Sequence, residues 1–195
     1  FADPVIQPKP KVKQKSSAAQ AKKDQLNLEF GDEIDSKPVA SKKEPKITKP
    51  DVEQEVLILS VVPAQGQLIS GAALLPTLLT LGLRYGDMDI FHRHQDSAGN
   101  GSVTFSCANM LNPGTFDIDN MENFTTPGIS LFMQLPNEGD PFTVFNQMLS
   151  AAKQIAEEIG GQVLDGQRSV MTKQTEQHYI SQIREFERKM RIASF

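Results

Sequence analysis

The hydrophobic pattern divides the chain near residue 55. Before it, apolar residues are scattered and Pro4, Pro8, Pro10, Pro38, Pro45 and Pro50 interrupt any regular element. After it, the pattern is dense and periodic. Val56 to Val62 is an apolar, β-branched run stopped by Pro63, which predicts a strand. Leu68 to Leu81 carries a leucine stripe at helical spacing, with Ser70 as N-cap and Gly82 closing the helix. Pro76 fits that helix only if its missing N–H falls near the first turn. Arg84 to His92 reads as a second strand. A turn at residues 96–101 leads to a third strand, Ser102 to Met110. A loop over 111–128 precedes a fourth strand, Ile129 to Leu135.

Asp140 and Pro141 form an N-cap and first-turn pair for a helix that runs to Ile159 and ends at Gly160-Gly161. Its inward face is Phe142, Phe145, Met148, Leu149, Ala152, Ile155, Ala156 and Ile159. Gln162 to Asp165 is a short strand. Thr172 to Met190 is a last helix with Tyr179, Ile180, Ile183, Phe186 and Met190 inward. The order β-α-β-β-β-α-β-α predicts an α+β domain over 55–195, with an antiparallel or mixed sheet and the helices on one face.

A sheet covered on one side alternates apolar and polar residues. These strands are apolar on both sides. One set, Leu57, Leu59, Val61, Phe91, Phe105, Cys107, Ile129, Leu131 and Met133, is assigned to the helix side. The opposite face then carries Val56, Ile58, Met88, Ile90, Ala108, Met110 and Phe132, with serines between them. Three helices cannot easily cover both faces, so this set predicts an exposed apolar patch of the kind that receives a partner. Its methionines suit an adaptable surface. Cover by the 111–128 loop, or by a second copy of the chain, would hide the same patch.

Composition narrows the function. Residues 1–54 hold 11 Lys against 9 Asp or Glu and read as a disordered, Pro- and Lys-containing linker with at most a transient helix over 16–30. Residues 55–195 net −6 within a total of −4, which argues against nucleic-acid binding. Cys107 is the one cysteine, so no intramolecular disulfide forms. No run approaches 18 apolar residues and no signal-peptide pattern opens the chain, which starts at Phe1 rather than Met.

Candidate chemistry is thin. His92 and His94 point the same way on a strand, but zinc needs three or four ligands. Asp87 and Asp89 have no accompanying base or cleft. Gly99-Asn100-Gly101 lacks the Lys and Ser or Thr of a phosphate loop, and Gly160-Gly161 ends a helix where such a loop would precede one. No enzyme, metal or cofactor is expected.

Several blocks resemble a known family. Residues 85–94 (Tyr-Gly-Asp-Met-Asp-Ile-Phe-His-Arg-His), 105–110 (Phe-Ser-Cys-Ala-Asn-Met) and 112–117 (Asn-Pro-Gly-Thr-Phe-Asp) resemble the ZipA C-terminal domain family of bacterial cell-division proteins. So do residues 124–128 (Phe-Thr-Thr-Pro-Gly), 132–136 (Phe-Met-Gln-Leu-Pro) and 160–165 (Gly-Gly-Gln-Val-Leu-Asp). The resemblance covers about residues 55–190. It implies a split β-α-β fold, with three helices behind an antiparallel sheet and the other face exposed. It implies a shallow apolar groove on that face, formed by Val56, Ile58, Met88, Ile90, Ala108, Met110, Ser130 and Phe132. Seven of these eight are the apolar set obtained from alternation.

The implied partner is the C-terminal peptide of the tubulin-like protein FtsZ. The implied role is a monomeric adaptor on the cytoplasmic side of the inner membrane at the division site. It would tether FtsZ filaments and stabilise the division ring through a single-pass N-terminal anchor that this chain does not carry. A self-associating scaffold using the same face is the alternative. Pro76, and one extra residue in the loop between Phe116 and Phe124, depart from the family pattern outside the groove.

Overall fold

The computed structural model describes residues 53–194. The linker expected over 1–54 therefore lies almost entirely outside the described residues. The elements in chain order are β1 (Glu55–Val62), β2 (Ile69–Ser70), α1 (Gly71–Thr80), β3 (Leu83–Tyr85), β4 (Phe91–His94), β5 (Val103–Asn109), β6 (Thr125–Thr126), β7 (Ile129–Leu135), α2 (Pro141–Glu158), β8 (Gln162–Leu164) and α3 (Lys173–Ala193). Short 3-10 turns occupy Asp87–Asp89 and Ile118–Asn120.

The main sheet has six strands in the order β3-β4-β5-β7-β1-β8, and every neighbouring pair is antiparallel. It follows that β1 and β3, joined through α1, run parallel with three strands between them. Likewise β7 and β8, joined through α2, run parallel on either side of β1. This is an α+β fold with an antiparallel sheet and three helices.

The core lies between one sheet face and the helices. Leu57, Leu59, Val61, Phe91, Phe105, Cys107, Ile129, Leu131 and Met133 are all buried, as alternation assigned them. They meet Leu74 and Leu78 of α1 and the inner face of α2, including Phe145, Met148, Ala152 and Ile155. Burial pushes the Cys107 thiol well above the ordinary thiol range, so it behaves as a small core hydrophobe.

Helix α3 closes the layer. Tyr179, Ile183 and Phe186 are buried, and the Tyr179 ring stacks on Phe145 at 5.3 Å. The Tyr179 hydroxyl donates to the Ile58 carbonyl and accepts from the Gly166 N–H, both at 2.8 Å. Desolvation is the main reason its pKa is raised. Among the described residues no helix is long and apolar enough to cross a membrane.

Two elements differ from the sequence reading. The first helix begins at Gly71, not Leu68, because Ile69 and Ser70 pair with Thr126 and Thr125 in a two-stranded ladder. Gly71 fits there because a Cβ would strike the Met121 carbonyl and crowd Phe124. Ser70 sits at the N-cap position but makes no side-chain cap bond. Pro76 is the sixth residue of the helix, beyond the first turn. Pro76 and Ala72, whose carbonyl loses its helical N–H donor to the proline, both lie on the exposed side of the helix, where that loss costs least.

The expected strand Arg84 to His92 is two strands, β3 and β4, with a turn between them. Met88 and Asp89 take φ of 61° and 56° there, which no strand accommodates.

The start of α2 matches its sequence signal. The Asp140 carboxylate accepts from the Thr143 N–H at 2.8 Å and from the Thr143 hydroxyl at 2.6 Å. These bonds, the hydroxyl first, hold its pKa below the usual carboxylate range. Asp140→Ala should cost about 1 kcal/mol in thermal or denaturant unfolding. Because the folded pKa is the lower one, the cap's contribution is complete above the ordinary carboxylate range and is lost as pH falls through the depressed value. The wild-type advantage over Asp140→Ala should therefore be present at pH 7 and shrink in strong acid.

Candidate functional site

The open face is built from strands whose residues alternate between core and solvent. Register places Ile58 of β1 opposite Phe132 of β7, Phe132 opposite Ser106 of β5, and Ser106 opposite His92 of β4. One row along, Ser60 faces Ser130 and Ser130 faces Ala108. The two serine hydroxyls lie 3.5 Å apart. The side chains in this row are small beside Ile58 and Phe132. Val56 and Ile58 keep 49% and 41% of their surface exposed, whereas Leu57 and Leu59 on the same strand keep 3% and none. That contrast separates the two faces of β1 cleanly.

Met110 follows β5 directly, and its N–H donates to the Gly128 carbonyl at 3.0 Å. A Cβ on Gly128 would collide with the Met110 sulfur and lie 3.0 Å from the Val61 carbonyl. The missing side chain at 128 is what lets Met110 lie across the end of β7. The sequence places Gly128 at the end of a loop and within a block that resembles the family, without the reason for a glycine there. Its signal was the glycine placed immediately before a β-branched strand residue.

Six of the eight expected groove residues lie on or beside the open face of the sheet: Val56, Ile58, Ala108, Met110, Ser130 and Phe132. Two are corrected. Met88 is not a strand residue. It projects from the turn between β3 and β4 and is 71% exposed. Ile90 is 5% exposed, so it belongs beneath the surface and not on it. Both corrections have one cause. The positive φ values at Met88 and Asp89 break the two-residue alternation on which both placements relied.

Toward β4 the face becomes polar. A depression of about 490 Å³ is lined by Met88, His92, Ser106, Phe132, Gln134 and Asn137, among others. His92 and His94, weighed as metal ligands from the sequence, are joined by no third ligand: among the described residues no three His, Cys, Asp or Glu side chains are grouped to hold a metal ion. His92 instead bonds within the protein, to Ser106 and to the Asp87 carbonyl. Away from this depression, on the helix side of the sheet, Tyr85 pairs with Phe91 and its ring packs against Phe91; its hydroxyl donates to Asp89 at 2.9 Å, and Asp117 and Asp119 lie close enough to act on it. Desolvation first, then that bond and the neighbouring carboxylates, raise the Tyr85 pKa.

An antiparallel sheet with helices on one side and an apolar, partly serine-lined face on the other has the form of a docking module. Residues 55–182 match the family described as ZipA, C-terminal FtsZ-binding domain, and the chain belongs to that family, one of cell-division adaptors and not of enzymes. The chain is 58% identical over 199 residues to the cell division protein ZipA of Colwellia psychrerythraea, covering 99% of this chain and 51% of that protein. It is 56% identical over 131 residues to ZipA of Shewanella loihica, covering 67% and 39%. With ZipA of Ectopseudomonas mendocina the identity is 48% over 157 residues, covering 80% and 58%. The chain thus spans about half the length of these relatives.

Gly128→Ala should displace the Met110 side chain and cost roughly 1–3 kcal/mol of stability through overpacking. A methionine-methyl NMR spectrum should show the Met110 signal moved and that of Met88 unchanged, with a lowered melting temperature. An unmoved Met110 signal would contradict the packing described.

Proposed function

We propose that the open face receives the C-terminal peptide of FtsZ. The observation that carries this reading is the exposure of Val56, Ile58 and Met88 on the side of the sheet away from the helices. These side chains, with Phe132 and Met110 beside them, offer a partner peptide several shallow apolar seats. A short peptide with spaced Leu, Ile or Phe residues would set them against Met88, Met110 and Phe132. Ser130 and Ala108 are small enough to admit such side chains between the larger groups. Val56 and Ile58 form the wall on the α3 side.

Such a contact is modest. A flexible peptide loses conformational freedom when it docks, and the apolar area is small. Affinity on the order of micromolar, roughly −8 kcal/mol, is expected. Charge at the rim tunes association more than affinity. Many copies held near a filament would bind far more firmly together than one alone. In the full-length protein the domain is a monomeric adaptor on the cytoplasmic side of the inner membrane. An N-terminal anchor joins it to the bilayer, FtsZ filaments are tethered through it, and the division ring is stabilised.

Titrating the 195-residue chain with a synthetic peptide of the FtsZ C-terminus tests this directly. Saturable methyl and amide NMR shifts are expected at Met88, Ala108, Met110 and Phe132. Phe132→Ala should weaken binding by more than about 1 kcal/mol while the thermal transition stays cooperative. Absence of shifts at millimolar peptide would reject the assignment. Concentration-dependent mass together with protection of the same residues would favour a self-associating scaffold.

A further inference from the structure

The turn between β3 and β4 places a bulky, non-glycine residue in a conformation that such residues avoid. Met88 has φ 61° and ψ 18°, and Asp89 follows with φ 56°. Two successive left-handed residues persist only where the surroundings fix them, and strained backbone of this kind concentrates at ligand clamps. Here the restraints come from three sides. The Gly86 N–H donates to the Ile90 carbonyl at 3.0 Å, closing the turn on itself. The Phe116 N–H donates to the Asp89 carbonyl at 2.8 Å, tying the turn to the long loop. The third restraint comes from the sheet, through His92.

His92 is buried on the open face. Its Nε2 lies 2.8 Å from the Asp87 carbonyl, and its Nδ1 lies 2.8 Å from the Ser106 hydroxyl. A carbonyl only accepts, so Nε2 carries a proton and donates it. In the neutral ring Nδ1 then accepts from Ser106. Ser106 stands directly opposite Phe132 in the ladder. The imidazole thus joins the residue before Met88 to the strand position beside Phe132. The ring also lies against the turn: a Cβ on Gly86 would come within 3.3 Å of His92 Cδ2.

We infer that His92 is the positioning residue of the docking face, holding the Asp87–Asp89 turn so that Met88 projects at a fixed place relative to Phe132. This rests on the peptide-docking reading for its purpose, though not for its geometry. Methionine is adaptable at its tip, but a loose backbone would add the cost of ordering the turn to every binding event. Fixing the backbone while leaving the side chain free removes that cost and keeps the adaptability.

The test uses the full 195-residue chain with labelled methionine methyls. In His92→Ala the Met88 methyl should move toward the averaged position of a mobile methionine in the free protein. FtsZ peptide binding should weaken roughly fivefold or more. His92→Gln, which returns an N–H within reach of the Asp87 carbonyl, should restore part of both. A His92→Ala protein with an unmoved Met88 methyl and unchanged peptide affinity would overturn the proposal.

If His92→Ala fails to fold, Ser106→Ala removes the ring's support on the sheet with less disturbance. It should shift the same methyl in the same direction, and an unmoved signal there would also overturn the proposal. If wild-type protein binds no peptide, the docking reading falls, and the methyl comparison still decides whether His92 sets the turn.

Discussion

One constraint governs the molecule: β1 is apolar on both sides, and the helices cover only one of them. Leu57, Leu59 and Val61 need the helical layer, and burying such side chains supplies the main driving force of the fold. The same strand must then leave Val56 and Ile58 facing water, because strand geometry sends alternate residues to opposite sides. Neighbours in register repeat the arrangement: Leu131 and Met133 of β7 lie inside while Phe132 lies between them on the open side. An exposed apolar face is therefore a direct consequence of how this sheet is built, and the polar row of Ser60 and Ser130 moderates it.

The covered half of the structure was legible in the sequence because its signals are local and strong. The β-branched run of β1, the Asp140-Pro141 start of α2 and the Gly160-Gly161 stop each act within a few residues. Every residue assigned by alternation to the helix side is buried. The open face was legible only where the strands are regular. Between Tyr85 and Phe91 the composition looks like a strand, yet tertiary bonds from His92 and Phe116 hold the backbone in a left-handed turn. Nothing in the local pattern announces positive φ at a methionine. That is why Met88 and Ile90 were placed on one surface when one is exposed and the other buried. The early start expected for α1 failed for a related reason. The ladder of Ile69 and Ser70 with Thr126 and Thr125 joins segments more than fifty positions apart.

Two features shape the open face without being part of its apolar surface. Gly128 contributes only the absence of a side chain, which makes room for Met110. Tyr179 reaches from α3 to the Ile58 carbonyl and ties down the strand that carries Val56 and Ile58. A search for apolar side chains misses Gly128, which is an empty space, and finds Tyr179 only as an inward ring, not the bond its hydroxyl makes to β1. The face depends on its supports as much as on the residues a partner would touch.

The sheet's borders carry a further consequence. Both outermost strands, β3 and β8, are three residues long, and beyond β8 the flank of β1 is met by the Tyr179 hydroxyl at Ile58. Short borders offer little template for adding a strand. Crowding many copies onto a small area would therefore give strand-to-strand pairing at β3 and β8 little to build on. Contacts made instead through side chains would let single substitutions adjust strength in small steps.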